Sequence, residues 1–200
     1  MRKARIAVMV SGGGTNLQAL IDAQKEGILK SGEIKLVISN RSDAYAIERA
    51  KAAGIEAQII TKKACGGIDA WEDKLIETID AAQIDLIILA GFLSILSEKF
   101  TRHYSHKIIN IHPALIPSFC GEGMYGLKVH EAALAKGVKV TGATVHYVNE
   151  IPDGGEIILQ QPVKVRAGDT PEVLQQRVMH QAEWIILPKA AEMISKEIIQ

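Results

Sequence analysis

Asn110 and His112 stand two positions apart in "KIINIHP", a run whose other residues belong in a core. Side chains on a strand alternate faces, so this spacing turns the amide and the imidazole to one side and Ile109 and Ile111 to the other. Pro113 disfavours helical backbone at His112 and so holds the imidazole extended at the strand's end. Such a pair suits acyl transfer. Attack of an amine on a formyl carbon creates an oxyanion that the amide and a protonated imidazole can both stabilise, and imidazole exchanges protons near neutral pH. A hydrogen-bonded His-Pro strand end is the plainer reading of the dipeptide; Asn110, two residues earlier, moves the balance towards function. Asp153, in "PDGG", is a turn former first. Beside an imidazole, its carboxylate would raise the ring's proton affinity and orient it.

The loop "SGGGTN" offers a second kind of chemistry. Backbone amides at a helix N-terminus favour an anion, and glycines let the backbone approach one closely. Gly13, Gly14, Thr15 and Asn16 are therefore candidate phosphate ligands, with Thr15 and Asn16 also expected to cap the helix. A tight strand-to-helix turn with an ordinary cap would account for the same residues. The dinucleotide fingerprint is excluded, because its third glycine position is Leu17, and a Walker loop is excluded because no Lys-Ser/Thr pair follows. His103, His106, His130, His146 and His180 lack paired metal-ligand spacing and read as surface or packing residues. His146 is set apart by lying close in sequence to Asp153, where it could orient a site residue. No general base is indicated for Cys120, and Trp71 and Trp184 read as packing residues.

These groups need a scaffold. Short apolar runs ("RIAVMV", "EIKLVISN", "IEAQII", "IDLIILAG") alternate with helical patterns ("NLQALIDAQKEG", "AYAIERAKAAG", "DAWEDKLIETIDAAQ"). Such strands, covered on both faces, predict a doubly wound α/β sheet of Rossmann-like type, parallel in its N-terminal half. After the short helix candidate "SEKFTRHY" and the strand "KIINIH", the runs "KVTGATVHYV" and "EIILQQPVKV" are separated only by "NEIPDGG", which predicts an added antiparallel pair. A long helical stretch from about Thr170 should kink or break at Pro188.

With 200 residues and 48% hydrophobic content, one cored domain is expected. Within it, residues 1–105 would form a phosphate-substrate half and 106–200 a catalytic and folate half. The balance of 23 basic against 23 acidic residues leaves no global field for nucleic acid or an anionic membrane. A short apolar start ended by glycines, and the lack of any run of spanning length, point to the cytoplasm. Cys65 and Cys120, far apart in sequence, are expected as two reduced thiols.

In order along the chain, "SGGGTNLQALI", "SNRSDAYAIERAKAAGI", "LAGFLSIL", "NIHPALIPSF", "GATVHYV", "DGGEIILQ" and "GDTPEVLQQRV" resemble the phosphoribosylglycinamide formyltransferases, the folate-dependent transformylases of purine synthesis. The resemblance spans nearly the whole chain. It implies transfer of a formyl group from 10-formyltetrahydrofolate to the amine of glycinamide ribonucleotide, without a metal. It also implies that Asn110, His112 and Asp153 are catalytic, that Gly13, Gly14, Thr15 and Asn16 grip the substrate phosphate, and that Glu183 contacts the substrate's ribose or amide portion. Folate would lie against Ser94, Ile95 and Leu96 and the loop leading to Asp153. The chain departs from the common pattern at Ser94, where an arginine is usual, and at Ala114, Cys120 and Trp184. Formyltetrahydrofolate hydrolases share the trio but normally carry an N-terminal regulatory domain, and methionyl-tRNA formyltransferases append a C-terminal tRNA-binding domain. A non-catalytic phosphate-binding module would explain the glycine loop and leave Asn110 and His112 idle.

Overall fold

The computed structural model describes residues 2–200. Among these, the uniformly apolar runs pair into one sheet of seven strands: β1 (Ala4–Val10), β2 (Gly32–Ser39), β3 (Glu56–Ile59), β4 (Leu86–Leu89), β5 (Ile108–His112), β6 (Val140–Tyr147) and β7 (Ile157–Lys164). Their order is β3-β2-β1-β4-β5-β6-β7. Pairings among β1 to β5 are parallel, while β6 runs antiparallel to β5 and β7 to β6, as the late hairpin predicts. Pro162, which lacks an N–H, is accommodated because β7 is an edge strand.

The alternation that makes strands legible also divides the core. Ile6, Val8 and Val10 of β1 face one layer of helices, Ala7 and Met9 the other. The first layer contains α1 (Thr15–Lys25), α7 (Pro171–Val178) and α8 (Trp184–Ile198), which bury Leu17, Leu20, Leu174, Leu187 and Ile194. The second contains α4 (Ile68–Ala81) and α5 (Glu98–His103), built around Trp71, Leu75, Ile79 and Phe100. At β5, Ile109 and Ile111 join the first layer, and Ile108 the second. Asn110 and His112 share Ile108's face and lie beyond it, at the carboxyl end of the sheet. The chain reverses direction across the sheet between β1 and β4, the position where open α/β sheets form a ligand crevice.

Three elements differ from expectation. The four-residue α3 (Lys62–Cys65) and the ten-residue α6 (Leu127–Lys136) are additional to those expected. The C-terminal helix does not break at Pro188: α8 continues through it, and the irregularity is a π-helical turn at Met179–Glu183. Proline at 188 clashes with the carbonyl of Trp184, four residues earlier. The wider π turn ends at that point, which gives the ring room without a break in the helix. Among the described residues, no helix is long and apolar enough to cross a membrane.

Candidate active site

The glycine loop is anchored where β1 and β4 part. Ser11 N–H donates to the Gly91 carbonyl at 3.1 Å, and Ser11 Oγ accepts from Leu93 N–H at 2.9 Å. From there the chain enters α1 through Gly14, in the left-handed region at φ 72°. A Cβ on Gly14 would lie 2.6 Å from Ala46 Cβ in α2 (Ala46–Ala52), so only glycine fits; at Gly12 and Gly13 a Cβ would meet open space. Thr15 and Asn16 do not cap the helix. The cap position is Gly14, without a side-chain bond, because both residues are already helical. Asn16 Nδ2 instead donates to Glu183 Oε2 at 2.8 Å, tying the loop to the π turn. Among the described residues, the backbone N–H groups of Gly12 to Asn16 find no acceptor, leaving a row of donors.

Asn110, His112 and Asp153 converge. Asp153 Oδ2 lies 3.5 Å from His112 Nδ1, and its Oδ1 lies 3.5 Å from Asn110 Nδ2. Asp153 adopts φ 56°, a left-handed conformation that aspartate tolerates in turns, and its Oδ2 also accepts from Gly121 N–H at 2.9 Å. His146 is the expected orienting residue. It faces Asn110 across the β5/β6 pairing; its Nδ1 donates to the Tyr147 carbonyl at 2.7 Å, which leaves Nε2 to accept from Asn110 Nδ2 at 3.1 Å. Its Nε2 is also 3.5 Å from Asp153 Oδ1.

Burial pulls the His112 pKa below its usual range, against the opposing pull of Asp153's charge. Burial works to raise Asp153, but the neighbouring imidazoles of His146 and His112 and the Gly121 N–H outweigh that and hold the carboxyl low. These directions favour a neutral imidazole beside a carboxylate in the free site, whereas the sequence reading sets a protonated imidazole against the oxyanion formed in the reaction. His112 Nε2 carries the proton, donated to the Phe119 carbonyl at 2.8 Å, and Nδ1 presents its lone pair towards Asp153.

Two cavities meet beside this trio. One of about 480 Å³ runs from Thr15 and Asn16 past His112 to Glu183. The other, of about 120 Å³, is walled by Phe92, the segment 94–96 and the loop 148–153. Asn110 and Asp153 line both. Ser94, Ile95 and Leu96 thus reach the smaller cavity together: Ser94 Oγ accepts from Asn40 Nδ2 at 2.8 Å, Ile95 is exposed and Leu96 is core. Glu183 is buried on the larger cavity, its pKa pushed up to about 6 by burial despite the bond from Asn16.

His130 is the residue that sequence reasoning missed. It is 0% exposed on α6, lines the larger cavity, and neither ring nitrogen has a partner. Burial first, then the neighbouring His112, lower its pKa to about 4. "LKVHEAALAKG" carried the signal: a run of helix formers closed by a glycine puts His130 on the buried face with Val129 and Ala133. Cys65 and Cys120 are free thiols, and burial, with Asp153 adding to it, raises the Cys120 pKa, so it stays protonated.

Residues 4–191 match the formyl transferase family. The chain is 42% identical to the phosphoribosylglycinamide formyltransferase of Escherichia coli (strain K12) over 176 residues, which is 88% of this chain and 80% of that one. It is 41% identical to the trifunctional purine biosynthetic protein adenosine-3 of Homo sapiens over 199 residues, which is 100% of this chain and 19% of the relative. The chain therefore spans about a fifth of the trifunctional relatives it matches. Among solved structures, glycinamide ribonucleotide transformylase 1 from Symbiobacterium toebii superposes with a TM-score of 0.90 at 39% identity, covering 98% of this chain and 89% of that one. The phosphoribosylglycinamide formyltransferase from Coxiella burnetii, in complex with CHES, gives 0.90 at 41% over the same shares.

Proposed function

The chain belongs to the formyl transferase family, whose members use a folate cosubstrate, and on that premise we propose that it transfers the formyl group of 10-formyltetrahydrofolate to the amine of glycinamide ribonucleotide, a step of de novo purine biosynthesis. The observation that carries this reading is the junction of two cavities at Asn110 and Asp153, with His112 on the wall of the larger one. The larger cavity begins at the row of unpaired backbone donors and takes the phosphorylated amine, with Glu183 beside its ribose or amide portion. The smaller one, walled by Phe92, Ile95 and Leu96, takes the pterin ring. Residues 1–105 supply the phosphate loop and 106–200 the trio, while both contribute to the folate side.

In the reaction, the uncharged amine attacks the formyl carbon and a C–N bond forms. Oxygen takes the electron pair, and Asn110 Nδ2–H donates to it. Neutral His112 takes the amine's proton at Nδ1, and Asp153, 3.5 Å away, stabilises the imidazolium so formed. That proton passes to the folate nitrogen as its bond to carbon breaks, releasing tetrahydrofolate and the formylated amide. No covalent enzyme intermediate is required.

Tetrahydrofolate release, followed spectroscopically with and without glycinamide ribonucleotide, tests the assignment. Release should require the amine. Release without it would mean a hydrolase, and none in either case a non-catalytic phosphate-binding module. His112→Ala and Asp153→Asn should each lower kcat by roughly 10²–10⁴-fold while the KM for glycinamide ribonucleotide changes little. Near-normal turnover in both would overturn the roles.

A further inference from the structure

Arg49 takes no part in the chemistry above, yet it is fastened to the loop assigned to the phosphate. Its Nε donates to the Gly13 carbonyl at 2.8 Å and its Nη1 to Gln18 Oε1 on α1 at 3.1 Å, while the guanidinium carbon stands 5.1 Å from the centre of the Tyr45 ring. Three residues earlier on α2, Ala46 N–H donates to the Gly12 carbonyl at 3.1 Å. Two successive carbonyls of the loop are thus turned towards α2. A trans peptide is planar and points its N–H opposite to its C=O, so the N–H groups of Gly13 and Gly14 face away from α2. Neither has an acceptor among the described residues. Gly14, whose Cβ position is filled by Ala46, is what allows α2 to come this close.

We infer that Arg49 is a positioning residue for the anion loop. By holding the Gly13 carbonyl it aims the Gly14 N–H and polarises that peptide, so the donors stand in place before a phosphate monoester arrives. It lies across the peptide from those donors and acts through the backbone, not on the phosphate itself. The planar fork is essential, because one guanidinium spans Gly13 O and Gln18 Oε1 together, whereas a lysine ammonium is a single flexible point of charge. The inference rests on the reading of this loop as the phosphate site, and it deepens that reading.

The test uses the full chain with Arg49→Lys and Arg49→Met, titrated calorimetrically with inorganic phosphate and assayed for turnover. In both variants the Kd for phosphate and the KM for the phosphorylated amine should rise about tenfold, the scale of one charge-assisted hydrogen bond. The KM for the formyl donor and kcat at saturation should stay within about twofold of the parent, which a general loss of structure would not allow. Phosphate should also move the Gly13 and Gly14 amide resonances of the parent protein, and move them less in Arg49→Lys. Parent-like phosphate affinity in Arg49→Lys would overturn the inference, since charge alone would then suffice. So would a loss spread equally over kcat and the formyl donor. Failure of the parent protein to bind phosphate would instead remove the phosphate loop, and this role with it.

Discussion

Glu183 is the carboxyl group that the fold holds least comfortably in its charged form. Its folded pKa of about 6 stands above its ordinary 4.5, because burial penalises the charge more than the Asn16 amide relieves it. A raised pKa stabilises the folded state fully below pH 4.5, and that stability is lost as pH rises through 6; the difference is about 2 kcal/mol. Glu183→Gln keeps an acceptor for Asn16 and has no charge to lose. Denaturant titrations at pH 4.5 and 7.5 should therefore show the variant gaining about 2 kcal/mol on the parent at the higher pH, and a pH-independent difference would refute the account. His112, with its lowered pKa, works in the opposite sense, destabilising the fold below about pH 6.5, and cancels because both proteins carry it. His130 yields a second test. Two unpartnered ring nitrogens in a buried place are unfavourable, so His130→Leu, of similar volume, should raise the Tm of the free protein. The pairing of Asn110 and His112 was legible in sequence because a strand's two-residue period puts both on one face by necessity. The bridge from Asn16 to Glu183 was not, since it joins residues 167 apart through a fold that no local pattern encodes. Thr15 and Asn16 were misread as caps for a related reason: which residue caps depends on where the first helical dihedral falls, here at Thr15, one position earlier than a Thr15 cap requires.

At the scale of elements, the loop between β1 and α1 combines two glycines with different tasks. Gly14 needs both its positive φ and the absence of a Cβ, because α2 packs against it, whereas Gly13 faces open space. Gly14→Ala should destabilise the protein by about 2–4 kcal/mol, from left-handed strain and overpacking together. Gly13→Ala should leave Tm nearly unchanged and raise the KM for the phosphorylated amine by crowding the ligand side. Equal Tm values for the two variants would contradict this division. The same docking explains why the parallel sheet was readable and its neighbours less so. β1, β4 and β5 are buried on both faces and show as apolar runs, while α6 is short and half exposed, in a segment whose rhythm had already changed. Pro188 was readable as a disturbance, but its position was not, because relief comes one turn earlier, where the Met179–Glu183 segment can widen against the cavity.

For the molecule as a whole, the chain's two halves serve one core. The cluster on the α1 face runs without interruption from Ile6 to Ile194. The C-terminal helix is latched onto the start of β2: Glu192 Oε2 accepts from the N–H groups of Lys30 and Ser31 at 2.9 and 2.8 Å, Oε1 accepts from Ser31 Oγ at 2.8 Å, and Gly32 leaves no room for a Cβ against Ile6 and Ser195. Residues 1–105 on their own would expose the face that α8 covers, so a single cooperative transition is expected. The two tryptophans report on opposite halves, Trp71 inside the α4 layer and Trp184 at the head of α8. In Trp184→Phe and Trp71→Phe, the remaining tryptophan's urea transition should coincide with that of the far-UV circular dichroism of the same variant. Adding Glu192→Ala should lower both midpoints together, because it loosens a latch that both halves share. A Trp184 transition that precedes unfolding of the sheet would make α8 an independent unit. The Asn16–Glu183 bridge would then be lost before the glycine loop it braces, and affinity for the phosphate ligand proposed there would fall at urea concentrations where most of the sheet is still intact.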